Sequence, residues 1–192
     1  VLEAFGIPIV GADDYEADDV MATYAKKETG PIRIVTGDRD LFQLVDDQSD
    51  VQVIYLAKGI SQHDLVNRDW VAKRYEIPGD RYGLFATFRG DASDGLPGVK
   101  GIGEKGAALI ARHFATAEEA IAAAKAEDER LTVSLRKKII EGEDYLSFAP
   151  KLVACSTDVP LPKIDLKIPK KPKDLSIIMK FKEDFNLGAS VD

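Results

Sequence analysis

The chain has 192 residues, 45% of them hydrophobic, a formal net charge of -7 and a single cysteine, Cys155. This apolar content is enough for one cored domain, or for a domain with a helical appendage, and argues against disorder. There is no run of about eighteen apolar residues, no leader-peptide pattern and no cysteine pair, so a membrane span, secretion and a disulfide framework are not expected and a cytoplasmic protein is the simplest reading.

The chain opens at Val1 within an amphipathic segment ending at Gly6, without an initiator methionine, so the native protein is expected to extend further at this end. Ile7 to Val10 is a short apolar run closed by Gly11 and is expected as a strand. Tyr15 to Lys27 has helical spacing, with Asp13 or Asp14 placed to cap it. A second short strand is expected over Ile32 to Thr36, a helical segment over Leu41 to Val45, a third strand over Val51 to Leu56 with a turn at Lys58-Gly59, and a helix over Asp64 to Tyr75. This rhythm predicts an α/β fold with a parallel-type central sheet flanked by helices. Strand signals cease from Tyr82, and Gly79 to about Phe148 reads as helices separated by glycine-rich turns. After Pro160, prolines and lysines alternate through Lys173, an extended connector before a last amphipathic helix near Leu175 to Phe185. The expected organisation is an α/β core over residues 1–78, a helical region over 79–160, and a basic connector with a C-terminal helix packing on the core over 161–192.

Within these elements, Trp70, Tyr75, Tyr82, Phe85 and Phe88 fall on expected helices, where packing in a core outweighs stacking on bases. His63 and His113 lie far from the acidic clusters and do not form a ligand pair, and Cys155 reads as a small buried hydrophobe. The lysines from Lys163 to Lys173 read as a solvated connector.

Acidic residues are concentrated in three short stretches. Glu16, Asp18 and Asp19 stand within one turn at the start of a helix, where positions three apart share a face. Asp38 and Asp40 follow a strand end, where open α/β sheets place their ligand sites. Asp91 and Asp94 stand three apart in a polar turn. Aspartates also cap helices and decorate turns, so each pair alone is only suggestive. Together the seven carboxylates, with no histidine or cysteine beside them, describe an all-oxygen site suited to Mg²⁺ or Mn²⁺ rather than Zn²⁺. A two-metal phosphodiesterase fits, with ions about 3.5–4 Å apart flanking a scissile phosphate. Without these seven charges the rest of the chain is near neutral, so the acidic total does not exclude a nucleic-acid partner.

The segment Gly95-Leu96-Pro97-Gly98-Val99-Lys100-Gly101-Ile102-Gly103-Glu104-Lys105 lets the backbone turn sharply and bring bare N–H groups close to a phosphate, at the start of a helix. Lys100 and Lys105 add charge that reads no base identity, so structure-directed, salt-dependent binding is expected. Glycine caps between helices would produce the same spacing.

Tyr15-Glu16-Ala17-Asp18-Asp19-Val20, Thr36-Gly37-Asp38-Arg39-Asp40-Leu41 and the run from Gly90 to Lys105 resemble, in order and separation, successive signatures of the bacterial and bacteriophage 5′-nuclease family. The resemblance runs from about Val1 to at least Leu187. It implies a metal-dependent, structure-specific 5′-3′ exonuclease and 5′-flap endonuclease, acting in RNA-primer removal and DNA repair. It implies that Glu16, Asp18 and Asp19 serve one metal site and that Asp38, Asp40, Asp91 and Asp94 form a second, with Asp18 or Asp19 helping both. It further implies a helix-three-turn-helix around Gly98 to Gly106 that grips the duplex backbone through Gly98, Lys100, Gly101, Gly103 and Lys105, with K⁺ held by loop carbonyls. The implied partner is DNA with a 5′ flap, nick or branch, handled by a monomer near the nucleoid, fused to or cooperating with a DNA polymerase.

The sequence departs from the family pattern at its amino end, where further aspartates, steering basic residues and a helical arch are not visible. Two other readings follow: a non-cleaving DNA-structure-binding protein of the same fold, and a metal-dependent phosphatase or small-molecule hydrolase on the same kind of sheet, which would explain the acidic residues but not the glycine-lysine turn.

Overall fold

The computed structural model describes residues 1–187; residues 188–192, the end of the segment expected to carry the C-terminal helix, lie outside the described residues. Strand β1 (Ile32–Thr36) pairs in parallel with β2 (Val51–Tyr55), Ile34 opposite Val53, and β3 (Asp64–Val66) pairs antiparallel with β2, Val66 opposite the same Val53. The α/β expectation holds, with a mixed sheet in place of a wholly parallel one. Alternation sets the buried face: Ile34, Val51, Val53 and Val66 point into the core, while Val35 and Leu65 face outward.

Strand β3 occupies the first residues of the segment expected as a helix over Asp64 to Tyr75. Asn67 is the reason, because its Oδ1 accepts the Trp70 N–H at 2.8 Å and so starts α3 at Arg68–Tyr75, leaving Leu65 and Val66 free to pair with β2. The helical segment expected over Leu41 to Val45 is a 3₁₀ turn over Asp40–Leu44. Only a few residues separate its start from the extended Val45, and a tight turn suffices to bury Leu41 and Phe42.

At the amino end, α1 (Leu2–Phe5) closes with the Gly6 N–H on Glu3 O and the Ile7 N–H on Leu2 O. Ile7 to Val10 is not a strand: the cap uses the Ile7 N–H, Pro8 has none, and Ile9 is 73% exposed. Helix α2 (Ala17–Lys27) starts later than expected, capped by Glu16 rather than by Asp13 or Asp14; Asp14 sits in a turn with φ 65°.

The other regular elements among the described residues are a 3₁₀ turn over Ile60–Gln62 and the helices α4 (Tyr82–Arg89), α5 (Glu104–His113), α6 (Ala117–Lys125), α7 (Val133–Glu141), short α8 (Glu143–Leu146) and α9 (Ala149–Val153), then α10 (Leu175–Phe185). Thr116 and Thr132 cap α6 and α7, each hydroxyl accepting a backbone N–H at 3.2 Å. A single contiguous core runs from the sheet into these helices. Its join is aromatic: the Phe42 ring lies 5.0 Å from Tyr55, 5.5 Å from Trp70 and 5.3 Å from Tyr82, all edge-on, and Tyr75 lies 5.1 Å from Phe85. The aromatic residues assigned to packing from sequence do pack there.

Beyond α9 the chain runs along α2. The fully buried Thr23 hydroxyl donates to Ser156 O (3.3 Å) and accepts the Val159 N–H (3.2 Å), while Tyr24 Oη donates to Pro162 O (2.9 Å) and Lys27 Nζ to Val159 O (3.1 Å). The lysines between Lys163 and Lys173 are exposed, as a solvated connector should be. Helix α10, capped by Asp174, buries Ile178 and packs against α1, where the Asp174 N–H donates to Ala4 O at 2.9 Å.

Candidate metal centre

The first acidic pair is set by local hydrogen bonding at the carboxyl end of β1. The Asp38 N–H donates to Thr36 Oγ1 (3.0 Å) and Asp38 Oδ1 accepts the Asp40 N–H (2.9 Å), a turn that places Asp40 at the head of the 3₁₀ segment.

The second pair lies on the loop after α4. Asp91 and Leu96 exchange both backbone hydrogen bonds at 2.9 Å, closing the loop. At its neck the chain crosses itself at two glycines: a Cβ on Gly90 would lie 2.5 Å from Gly98 N, and one on Gly98 (φ 65°) would lie 2.5 Å from Arg89 O. Asp91 Oδ1 accepts the Ser93 N–H at 3.1 Å and the Ser93 hydroxyl, and its Oδ2 accepts from Arg39 Nη2 (3.2 Å) and Arg89 Nη2 (3.0 Å). These contacts, the Ser93 hydroxyl foremost, hold the Asp91 carboxyl below its ordinary range.

Carboxylate oxygens of Asp40, Asp91 and Asp94 lie within 4.8 Å of one another. Burial, then the charges of Asp38, Asp94 and Asp91, push Asp40 up to about 6, against an opposing pull from Arg89. The start of α2 faces the same centre: burial raises Asp18, and Asp38, Glu16, Asp19 and Asp94 add to the rise. Glu16 is exposed at the rim. Asp19 is already engaged, its Oδ2 accepting the Glu16 N–H (3.2 Å) and its Oδ1 the Ser156 N–H (2.7 Å). Asp40, Asp91 and Asp94 thus cluster, Asp18 and Asp38 stand beside them, and Asp19 ties α2 to the segment after α9. An all-oxygen set of crowded like charges is the chemistry that a hard divalent cation relieves, so the residues fit such an ion.

The glycine-rich turn adjoins this loop. The Val99 N–H donates to Phe88 O at 3.0 Å, and Val99 and Ile102 are buried. Lys100, Gly101, Gly103 and Lys105 are at the surface, and Gly103 caps α5 as the sequence led one to expect. Gly98 is buried under Arg89, so its part is to let the chain cross rather than to present an N–H to a phosphate. Lys138 Nζ donates to Gly101 O at 2.8 Å, an ammonium on one carbonyl of the turn that could otherwise face K⁺.

Several neighbours of the centre carried no sequence signal. Nothing in the sequence singles out Arg39 or Arg89, and Cys155 and Ser156 stand more than a hundred residues from the carboxylates they approach. Cys155 is half-buried, and burial followed by Asp18, Asp19, Asp40 and Asp38 pushes its thiol up to about 12. His63 and His113 stay outside the cluster; His63 Nδ1 lies 2.8 Å from Ile60 O.

Residues 1–76 match the family model described as 5'-3' exonuclease, N-terminal resolvase-like domain, and residues 77–174 match 5'-3' exonuclease, C-terminal SAM fold. The chain belongs to the 5′-3′ exonuclease family. Among its relatives, a 5'-3' exonuclease of Streptomyces coelicolor is 44% identical over 191 residues, covering 100% of this chain and 64% of that protein. A 5'-3' exonuclease of Mycobacterium tuberculosis is 43% identical over 84% of this chain and 52% of its own length, and the DNA polymerase I of Thermus filiformis is 34% identical over 98% of this chain but 22% of its own. The chain therefore spans about half to two thirds of the two exonucleases. The fold is that of bacteriophage T5 5'-exonuclease with divalent zinc ions bound, at a TM-score of 0.61 and 21% identity over 79% of this chain and 56% of that one. A T5 flap endonuclease complex with DNA and metal ions aligns at a TM-score of 0.57 and 18% identity over 72% of this chain and 49% of that one. No helix among the described residues is long and apolar enough to cross a membrane.

Proposed function

We propose that this chain is the catalytic and DNA-docking portion of a divalent-metal-dependent nuclease that hydrolyses DNA phosphodiesters as a 5′-3′ exonuclease and 5′-flap endonuclease, in RNA-primer removal and repair. The observation that carries the proposal is the meeting of Asp40 with Asp91 and Asp94 within 4.8 Å, the latter two on a loop continuous with the turn that exposes Lys100 and Lys105. Asp40, Asp91 and Asp94, with Asp38 beside them, would hold one Mg²⁺ or Mn²⁺ ion and Asp18 with Glu16 a second, and such a pair would supply water activation and neutralisation of the leaving oxygen. Asp19 serves mainly to fix the start of α2. Lys100 and Lys105 hold duplex phosphates, and the surface N–H groups of Gly101 and Gly103 sit at the positive end of α5. A K⁺ at this turn would use carbonyls other than that of Gly101, which accepts from Lys138.

The division into segments 1–78, 79–160 and 161–192 belongs to this proposal, as do a monomeric state, a cytoplasmic, nucleoid-associated location and cooperation with or fusion to a DNA polymerase. Relatives that include DNA polymerase I support the last of these.

The deciding experiment is incision of a 5′-labelled double-flap DNA by the full-length protein with Mg²⁺, with Mn²⁺ and with a chelator. Cleavage near the flap junction that needs the metal is the expected result. Tight binding without incision in either metal would favour the non-cleaving DNA-binding reading.

A further inference from the structure

Asp91 stands between two guanidinium groups that differ in how they are held. Arg89 is fixed: its side chain is 15% exposed, its Nε donates to Gly90 O at 3.0 Å, and its Cζ lies over the Phe85 ring at 5.2 Å. Arg39 is 44% exposed and, among the described residues, hydrogen-bonds through its side chain to Asp91 alone, at 3.2 Å. Its backbone is nonetheless well placed, since it lies between Asp38 and Asp40 on the turn that those residues and Thr36 hold rigid. One carboxylate oxygen thus faces two positive charges, of which one is built in and the other is tethered only at its tip.

A divalent cation seated among Asp40, Asp91 and Asp94 would add a third positive charge at the same carboxylate. Repulsion falls on the partner with less to lose, because Arg89 keeps its carbonyl and ring contacts whereas Arg39, near Tyr82, Tyr75 and Tyr55, is left with no other side-chain hydrogen bond among the described residues. A released Arg39 side chain is long, planar and permanently charged, and it stands at the edge of the carboxylate cluster, where bidentate contact with a phosphate is available.

We propose that Arg39 is an exchangeable counter-ion: it pairs with Asp91 when no cation is bound and turns to a phosphate of the DNA strand once the cation arrives. The proposal rests on the reading of Asp40, Asp91 and Asp94 as a cation site. It predicts that Arg39 competes with the metal for Asp91 yet favours the metal-loaded protein on DNA. Arg89 keeps Asp91 oriented in both states.

The test compares the full-length parent with Arg39→Ala and Arg39→Gln, first by calorimetric titration with Mn²⁺ in the absence of DNA. With the competitor removed, both variants should bind Mn²⁺ about threefold to fivefold more tightly than the parent, the size of one partly exposed ion pair. Binding to a 5′-flap duplex is then followed against salt, with Ca²⁺ and with chelator. In Ca²⁺ the parent should show a slope of log affinity against log salt about 0.9 steeper than either variant, the signature of one phosphate contact, while in chelator the slopes should coincide. Unchanged Mn²⁺ affinity, or equal slopes in Ca²⁺, in variants that fold as the parent does would overturn the role of Arg39 and leave the cation site standing. A parent that binds no Mn²⁺ would overturn both.

Discussion

The most informative single residue is Asp40. Its carboxyl is raised to about 6 by burial and by three neighbouring carboxylates, so the folded protein keeps this proton at pH values where the unfolded chain has released it. Without metal, stability therefore falls as pH rises from the ordinary 3.8 through about 6, and the loss is complete above that. Asp40→Asn should remove the loss, raising metal-free stability near pH 7 by about 1 kcal/mol after allowance for solvent screening, while abolishing metal-dependent cleavage. Denaturant titration with chelator at pH 4.5 and 7.5 checks the first part; a variant no more stable than the parent at pH 7.5 would contradict it. The same carboxyl makes protons compete with metal, so Mn²⁺ affinity measured by calorimetry should decline below pH about 6 and level off above it. The carboxylates were legible in the sequence because their types and spacing say what they hold. Arg39 and Arg89 were not, because an isolated cation acquires meaning only from what it faces.

Among the elements, the loop from Gly90 to Gly98 is the most sensitive to change. Gly98→Ala would put a Cβ 2.5 Å from Arg89 O at a backbone angle of φ 65°, and a loss of about 3 kcal/mol or more is expected, with cleavage falling because Asp91 moves with the loop. Gly103→Ala is a control, since nothing lies within 4 Å of its added Cβ, and a loss of only about 1 kcal/mol or less, that of a poorer helix cap, is expected there. A small effect at Gly98 in chemical denaturation would show that the crossing relaxes freely. Lys100→Ala and Lys105→Ala should leave stability unchanged while each weakens flap binding in a salt-sensitive way, which filter binding over a salt series would read. Element boundaries were the least legible feature. Helix α10 falls over Leu175–Phe185 as expected from its amphipathic spacing, whereas Ile7 to Val10 and Asp64 to Val66 were misread because pairing depends on whether a neighbouring strand offers free hydrogen-bonding groups. Pro8 and the Asn67 cap were the local signals that marked both cases.

At the scale of the molecule, the family matches meet between residues 76 and 77, but the hydrophobic core does not divide there. Tyr75 on α3 packs 5.2 Å from Tyr82 on α4, and both belong to the cluster around Phe42. Unfolding of this chain should therefore be one cooperative transition, and Phe42→Ala should lower its midpoint without splitting it, at a cost of about 3–5 kcal/mol. Two calorimetric peaks would show that the sheet and the helices unfold separately. The two-part character of the chain was legible in the change from strand to glycine-punctuated helix, but the shared aromatic core was not, because its members are contributed by segments with no common pattern.

The crossing of Gly90 and Gly98 also joins the carboxylates to the lysine turn through a short, closed span of backbone, with Val99 bonded back to Phe88. For a nuclease of the proposed kind, this makes the loop a ruler. Incision would fall a fixed number of nucleotides from the phosphates that the turn holds, whatever the bases between.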